Sequence, residues 1–183
     1  TQLSKRFRSV EISKPFWIGK YEVTQLQWQQ LMIKNPSYFK GPYNPVEQVT
    51  LEGANLFCKK LTQIENDAGR LPDGYIYRLP TVHEWEFAAK GGVLSKHFKF
   101  SGSNHIDTVA WYLKNSEDHH HAVGMKKPNE LGAHDMSGNV WELCIDSIDK
   151  NKTLFYKSKI YRHNHVDPVS LRNGVSYAYQ GGG

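Results

Sequence analysis

The stretch Tyr77-Arg-Leu-Pro-Thr-Val-His-Glu-Trp-Glu-Phe-Ala-Ala-Lys-Gly-Gly92 decides how this chain folds. Residues 75–80, YIYRLP, carry aromatic and branched side chains and read as a strand. Thr81 follows, with Glu84 three positions on. That spacing lets the threonine hydroxyl and the glutamate carboxylate satisfy each other's backbone N–H groups, so it predicts a helix start. VHEWEFAAK continues as the helix, and Gly91-Gly92 closes it. Glu84 reads as the capping acid and Trp85 as core. Arg78 reads as a structural ion-pair partner rather than a substrate ligand.

Upstream, FWIGKYEV (16–23) alternates and reads as a strand. Thr24 with Gln27 repeats the capping spacing and predicts a helix over 25–34. NPSYFKGPYNP (35–45) has the Pro, Gly and Asn of a loop. PVEQV (45–49) is a short extended piece that runs into Thr50, the next N-cap. From there Ala54, Phe57, Cys58, Leu61 and Ile64 recur on one face of a helix over 51–66. Downstream, 93–139 has no strong period and predicts ordered irregular structure with short strands. VWELCID (140–146) reads as a strand, and 147–183 as mostly loop. The pattern is α+β, one domain over 1–183, with much coil.

Composition narrows the function classes. The 183 residues include 10 Tyr, 8 Phe and 5 Trp, with 22% charged residues and a net charge of +5. That is a folded composition. The basic excess is mild and scattered, which argues for a solvated face and against nucleic acid as a partner. No apolar run approaches the roughly 20 residues that span a bilayer, and TQLSKRFRSV has no signal-peptide core. Two cysteines, Cys58 and Cys144, make neither a disulfide framework nor a CxxC pair. Cys58 falls on the apolar helix face and is expected to be buried and inert. The three histidines in EDHHHAVG (117–124) point in different directions on an extended segment, so a solvent-exposed loop is expected rather than a metal centre. No Ser/His/Asp set has motif context, and no phosphate loop is present.

A second stretch raises a question of charge. HDMSGNVWELC (134–144) sets Glu142 beside Trp141 and a second acid, Asp135, seven residues earlier. Carboxylates are expensive to bury without partners. Either a cation sits between them, or Glu142 pairs with Arg78 or a lysine, or it takes backbone N–H groups from the 135–140 turn.

Together, FWIGKYEVTQLQWQQLM (16–32), NPSYF (35–39), PVEQVT (45–50), ANLFCKKL (54–61), YRLPTVHEWEFAAKGG (77–92) and AVGMKKPNELGAHDMSGNVWELCID (122–146) resemble, in order and spacing, the formylglycine-generating-enzyme/sulfatase-modifying-factor domain. The resemblance covers residues 14–147. It implies a C-type-lectin-like fold with short twisted antiparallel strands, two main helices and long irregular loops. It also implies a structural calcium held by the side chains of Asp135 and Glu142 and the backbone carbonyls of Gly138 and Val140. Oxygen-only ligation suits that hard cation, and Gly138 would let the chain turn its carbonyl inward.

Departures from the family pattern bear on activity. Leu51 replaces a usual tryptophan, and Ala133-His134 replaces a usual Leu-Tyr. Gln180 in YQGGG (179–183) stands where an arginine opens the family's Gly-Gly landmark, and the domain is expected to continue past it. In the enzymes a cysteine pair after that landmark binds copper and oxidises a substrate cysteine to formylglycine. Neither Cys58 nor Cys144 occupies those positions.

Two readings follow from the resemblance. The first is a non-catalytic ligand-binding or display domain, like the variable proteins of diversity-generating retroelements, a treponemal one among them. Its surface would lie in the C-terminal region, at Tyr156, Tyr161, Asn173, Tyr177 and Tyr179, whose rigid aromatics and adaptable amide suit recognition of a protein or small molecule. The second is a copper-dependent oxidoreductase with its cysteines beyond residue 183. The missing thiol pair favours the first. Family habit places such domains at the cell envelope or surface or outside the cell, often as lipoproteins.

Overall fold

Three threonines start three helices in the computed structural model, which describes residues 10–148 and the backbone of 176–181. Thr24, Thr50 and Thr81 each sit in extended backbone and accept an N–H from the third residue onward, opening α1 (Gln25–Leu31), α2 (Leu51–Asp67) and α3 (Val82–Ala89). At Thr24 and Thr81 the reciprocal bond from Gln27 or Glu84 is also made, so the capping boxes read from the sequence are both present. The expected boundaries hold for α2 and α3. Helix α1 stops three residues early, at the extended Met32.

A single side chain organises the loop after α1. Gln25 is 1% exposed. Its amide nitrogen donates to the carbonyls of Phe39 (2.8 Å) and Pro45 (3.2 Å), and its oxygen accepts from Asn35 Nδ2 (2.8 Å) and the Gly41 N–H (3.2 Å). All four of its hydrogen-bonding positions are used, which fixes loop 35–45 without regular secondary structure. Helices α1 and α2 join where the Trp28 indole stacks on Phe57, centroids 5.2 Å apart. Lys60 of α2 donates to the Leu31 carbonyl at 2.8 Å and so covers an end of α1. Ala54 and Phe57 are buried as the α2 periodicity requires, but Cys58 is half-buried and Ile64 exposed.

The other half of the fold is α3 against the strand β1 (Trp141–Ile148). Val82, Trp85 and Ala88 pack with Ala133, Met136 and Cys144 into a buried apolar cluster. Asp146 on β1 accepts the Val82 N–H at 2.6 Å, and Ile145 N–H donates to Pro80 O at 2.9 Å. The first free N–H of α3 thus finds its partner across 64 residues of sequence. β1 pairs antiparallel with β2 (Ser176–Gly181), Trp141 opposite Gly181 and Leu143 opposite Tyr179. The register then slips, since Ser147 stands opposite Tyr177. Four steps along β1 there match two along β2, a bulge.

Two expected strands, 16–23 and 75–80, are not strands, and the extended piece 45–49 makes no ladder either. Residues 16–23 hydrogen-bond to separate places: Lys20 O accepts from His134 and Val23 O from Val46. Residues 45–49 contribute one isolated bridge, Pro45 to Thr24. In 75–80, the Tyr77 N–H goes to the Thr62 hydroxyl of α2 at 2.9 Å. Their extended pattern is real, but successive backbone groups find partners one at a time, so no ladder forms. Between α3 and β1 the chain is irregular as expected, with two short 3₁₀ turns at Gly92–Leu94 and Ile106–Thr108.

Candidate functional site

The segment 134–144 forms a turn whose backbone is set by two side-chain-bearing residues. Asp135 and Asn139 both adopt left-handed φ, 60° and 65°. Aspartate and asparagine tolerate that region better than other non-glycine residues. Gly138 plays a different part from the one expected. A Cβ there would lie 2.1 Å from the Trp111 carbonyl oxygen. It is glycine because two backbones meet, and the chain reversal is carried by its neighbours.

Asn139 is the hub of this turn. Its N–H donates to Trp111 O (2.9 Å). Its side-chain oxygen accepts from His121 N–H (2.9 Å), and its Nδ2 donates to Glu22 Oε2 (2.7 Å) and His121 O (3.2 Å). Glu22 Oε1 also accepts the Val140 N–H at 3.3 Å. Glu22 is thereby a third acid beside buried Asp135 and half-buried Glu142, and sequence reasoning missed it. The signal was present, since an acid sits among the aromatic and branched residues of FWIGKYEV.

Burial raises the pKa of all three acids, and acid neighbours add to it at Glu22 and Glu142. Burial pushes the Glu22 carboxyl well above its ordinary range, and Glu142 and Asp135 push it further, against the pull of Asn139 and the Val140 N–H. Burial also raises Glu142, to about 7, with Asp135 adding to it and the Trp85 indole pulling the other way. Asp135 is 2% exposed. Burial raises its carboxyl too, although the Gly124 N–H and His134 lower it. Its Oδ2 accepts from Gly124 at 2.7 Å, while the buried Oδ1 has no hydrogen-bond partner.

This arrangement fits a cation on one count and limits it on another. Neighbouring carboxylates with raised pKa values and an orphaned buried oxygen suit a positive charge. Arg78 does not supply it: both guanidinium arms go to Glu84, Nη1 to Oε2 at 2.8 Å and Nη2 to Oε1 at 2.7 Å. Yet among the described residues no three His, Cys, Asp or Glu side chains are grouped to hold one metal together. A cage of three acid side chains including Glu22 is therefore not built.

The histidine loop departs from expectation. His119, His120 and His121 are half-buried rather than exposed. His121 stacks on Trp111, centroids 3.8 Å apart, and Lys126 Nζ lies 3.9 Å from the same indole. Both cysteines are free thiols. Cys144 is fully buried, and burial, with Glu142 and Asp146 behind it, drives its thiol far up; burial likewise raises half-buried Cys58.

A cleft of about 1830 Å³ is lined by Trp17, Tyr75, Phe39, His119 and Trp141 among others. Trp17, 73% exposed, stacks on Tyr75 at 5.0 Å there. Of the expected C-terminal surface, Tyr156, Tyr161 and Asn173 lie outside the described residues. Tyr177 and Tyr179 fall on β2, of which the backbone alone is described.

Short capped helices, a bulged antiparallel pair, long fixed loops and the 134–144 turn define a C-type-lectin-like α+β fold of the formylglycine-generating-enzyme type. The chain belongs to the sulfatase-modifying factor enzyme 1-like domain family, which it matches over residues 4–183. It is 41% identical over 171 residues to the chaperone protein LppX of Paenibacillus barcinonensis, covering 70% of this chain and 61% of that one. It is 26% identical over 181 residues to the formylglycine-generating enzyme of Streptomyces coelicolor, covering 92% of this chain and 50% of the enzyme. Among solved structures it is similar to Treponema denticola variable protein 1, with a TM-score of 0.59 and 34% identity over 70% of this chain and 63% of that one. The chain thus spans half to three-fifths of the length of these curated relatives. Among the described residues no helix is long and apolar enough to cross a membrane.

Proposed function

We propose that this domain is a non-catalytic binding or display module built on the formylglycine-generating-enzyme scaffold. The observation that carries the reading is the state of its thiols. Oxidation of a substrate cysteine needs a thiolate pair open to copper and substrate. Cys144 lies in the α3–β1 core with its thiol pushed up, and Cys58 is half-buried on α2. Thiolates form where positive charge stabilises them, and Cys144 has acids around it instead. The likeness to a protein named as a chaperone and to a retroelement variable protein supports the same class.

On this reading the ligand is a protein or small molecule. The binding surface comprises the C-terminal region, Tyr156, Tyr161, Asn173, Tyr177 and Tyr179, together with the aromatic ledge of Trp17 and Tyr75 in the cleft. Exposed aromatics rimmed by polar groups mark interaction sites. The location proposed is the cell envelope or surface, by the habit of the family to which the chain belongs. A structural calcium held by Asp135 and Glu142 with the Gly138 and Val140 carbonyls would neutralise the acid cluster and stiffen the turn. The orphaned Asp135 Oδ1 supports it.

The test is an oxygen-electrode assay with a cysteine-containing sulfatase-motif peptide and added copper. No oxygen uptake above a peptide-free control is expected. Turnover would overturn the proposal in favour of a copper-dependent oxidoreductase.

A further inference from the structure

His120 is buried in a way its neighbours are not. Its side chain is 6% exposed, and its Nε2 stands 3.8 Å from Glu47 Oε1. Neither ring nitrogen has a hydrogen-bond partner. The Phe39 ring meets it edge-on, planes at 88° and centroids 5.5 Å apart. Glu47 is already engaged: its Oε1 accepts the N–H groups of Tyr38 and Phe39, the latter at 3.0 Å, and its own N–H donates to Ser37 Oγ at 3.1 Å. His119 and His121 are held on their own loop by the carbonyls of Glu117 (2.8 Å) and Ser116 (3.1 Å). An imidazole inserted between loop 116–121 and loop 35–47, with no bond that needs its polarity, is an unusual use of histidine.

We propose that His120 is an acid-operated clasp: uncharged, it seats loop 116–121 against Phe39 and Glu47, and on gaining a proton it leaves that seat for water and frees the loop. Among the described residues, three charged or titratable groups face it: Glu47 from the opposing loop, and His119 and His121 from its own. Burial disfavours the proton, Glu47 favours it, and the two histidines oppose it; the balance holds the His120 pKa below its ordinary 6.5. A depressed histidine pKa means the seated form is complete above pH 6.5 and weakens as pH falls. Between 6.5 and the lowered value, the opening equilibrium rises by about tenfold per pH unit, one proton being taken up on opening. Below that value the rise levels off, because the seated ring protonates as well.

Hydrogen exchange of the whole chain, corrected for the intrinsic pH dependence of exchange, tests this between pH 7.5 and 5. The expected result is loss of protection at 116–121 and 37–39 on acidification, with α2 amides unchanged, and no such loss in His120→Phe. Overturning results are a pH-independent loop, an acid response that persists in His120→Phe, or equal loss of protection in α2. Should the variant fail to fold, NMR titration of the wild-type His120 ring decides. A midpoint below 6.5 supports the clasp, and one at or above 6.5 overturns it.

Discussion

Arg78 and Glu84 meet through two parallel N–H···O bonds at 2.8 and 2.7 Å, while the same carboxylate caps the Thr81 N–H at 2.8 Å. One acid therefore closes the N-terminus of α3 and ties residues 75–80 to it. Sequence alone assigned Glu84 to the cap. It expected Arg78 to be a structural partner and offered it, as one alternative, to Glu142. The fold gives both guanidinium arms of the arginine to Glu84.

The pair sets an acid sensitivity. Burial pushes the Glu84 carboxyl up, but the Arg78 fork and the Thr81 bonds outweigh it, and its pKa lies below 4.5. A depressed carboxylate stabilises the fold fully above 4.5 and loses that contribution as pH falls through the folded value. Glu84→Gln is expected to destabilise the domain by about 2 kcal/mol at pH 7, the scale of a charge-assisted hydrogen bond with its cap. The gap between variant and wild type should narrow as pH drops below 4.5. Urea unfolding at pH 7 and pH 3 checks both; a gap independent of pH would contradict the assignment.

Gly138 and Gly69 separate steric from conformational demand. Gly138→Ala drives a methyl to 2.1 Å from Trp111 O, with backbone and not a flexible side chain in the way. A loss of about 3 kcal/mol or more is expected. Gly69 has φ +65° with nothing within 4 Å of a new Cβ, so Gly69→Ala should lose only about 1 kcal/mol of left-handed strain. Equal losses in chemical denaturation would refute the close approach.

Gln25 offers a sharper substitution. Gln25→Ala removes four hydrogen bonds from a buried hub and should cost about 3 kcal/mol. Gln25→Glu keeps the shape yet turns a donor toward the Phe39 and Pro45 carbonyls into an acceptor, leaving a buried charge. It should destabilise at least as much as the alanine variant at pH 7, as read by thermal melts. A mild glutamate variant would mean the amide is not oriented as found.

The local signals in this chain are legible because they act within four residues. Thr81 and Glu84, or Thr24 and Gln27, announce a helix start whatever surrounds them. Ala54 and Phe57 are core by periodicity. What the sequence hides is long-range: Gln25 holding a loop 10 to 20 residues away, Glu22 meeting Asn139 across 117 residues, and Asp146 capping a helix 64 residues upstream. The failed strands have the same cause. Alternation fixes the extended backbone of 16–23 and 75–80, but a strand also needs a neighbour running alongside it. His120 was misplaced because a run of three histidines looks polar, whereas burial is decided by Phe39 and Glu47 from another loop.

Calcium gives the 134–144 turn its decisive test, since the sign of one variant depends on it. If the ion binds between Asp135 and Glu142, it stabilises the fold by RT ln(1 + [Ca²⁺]/Kd), about 2.7 kcal/mol at a hundredfold excess over Kd. For a domain of this size that raises Tm by roughly 5–10 °C, and chelator should reverse it. Asp135→Asn removes both a ligand charge and the repulsion on Glu22 and Glu142. In chelator the variant should therefore melt at or above wild type; in calcium, wild type should gain and the variant should not. Wild-type melting curves that coincide in calcium and in chelator, with no metal in elemental analysis, would leave the acids as a protonated hydrogen-bonding cluster and withdraw calcium from this fold member.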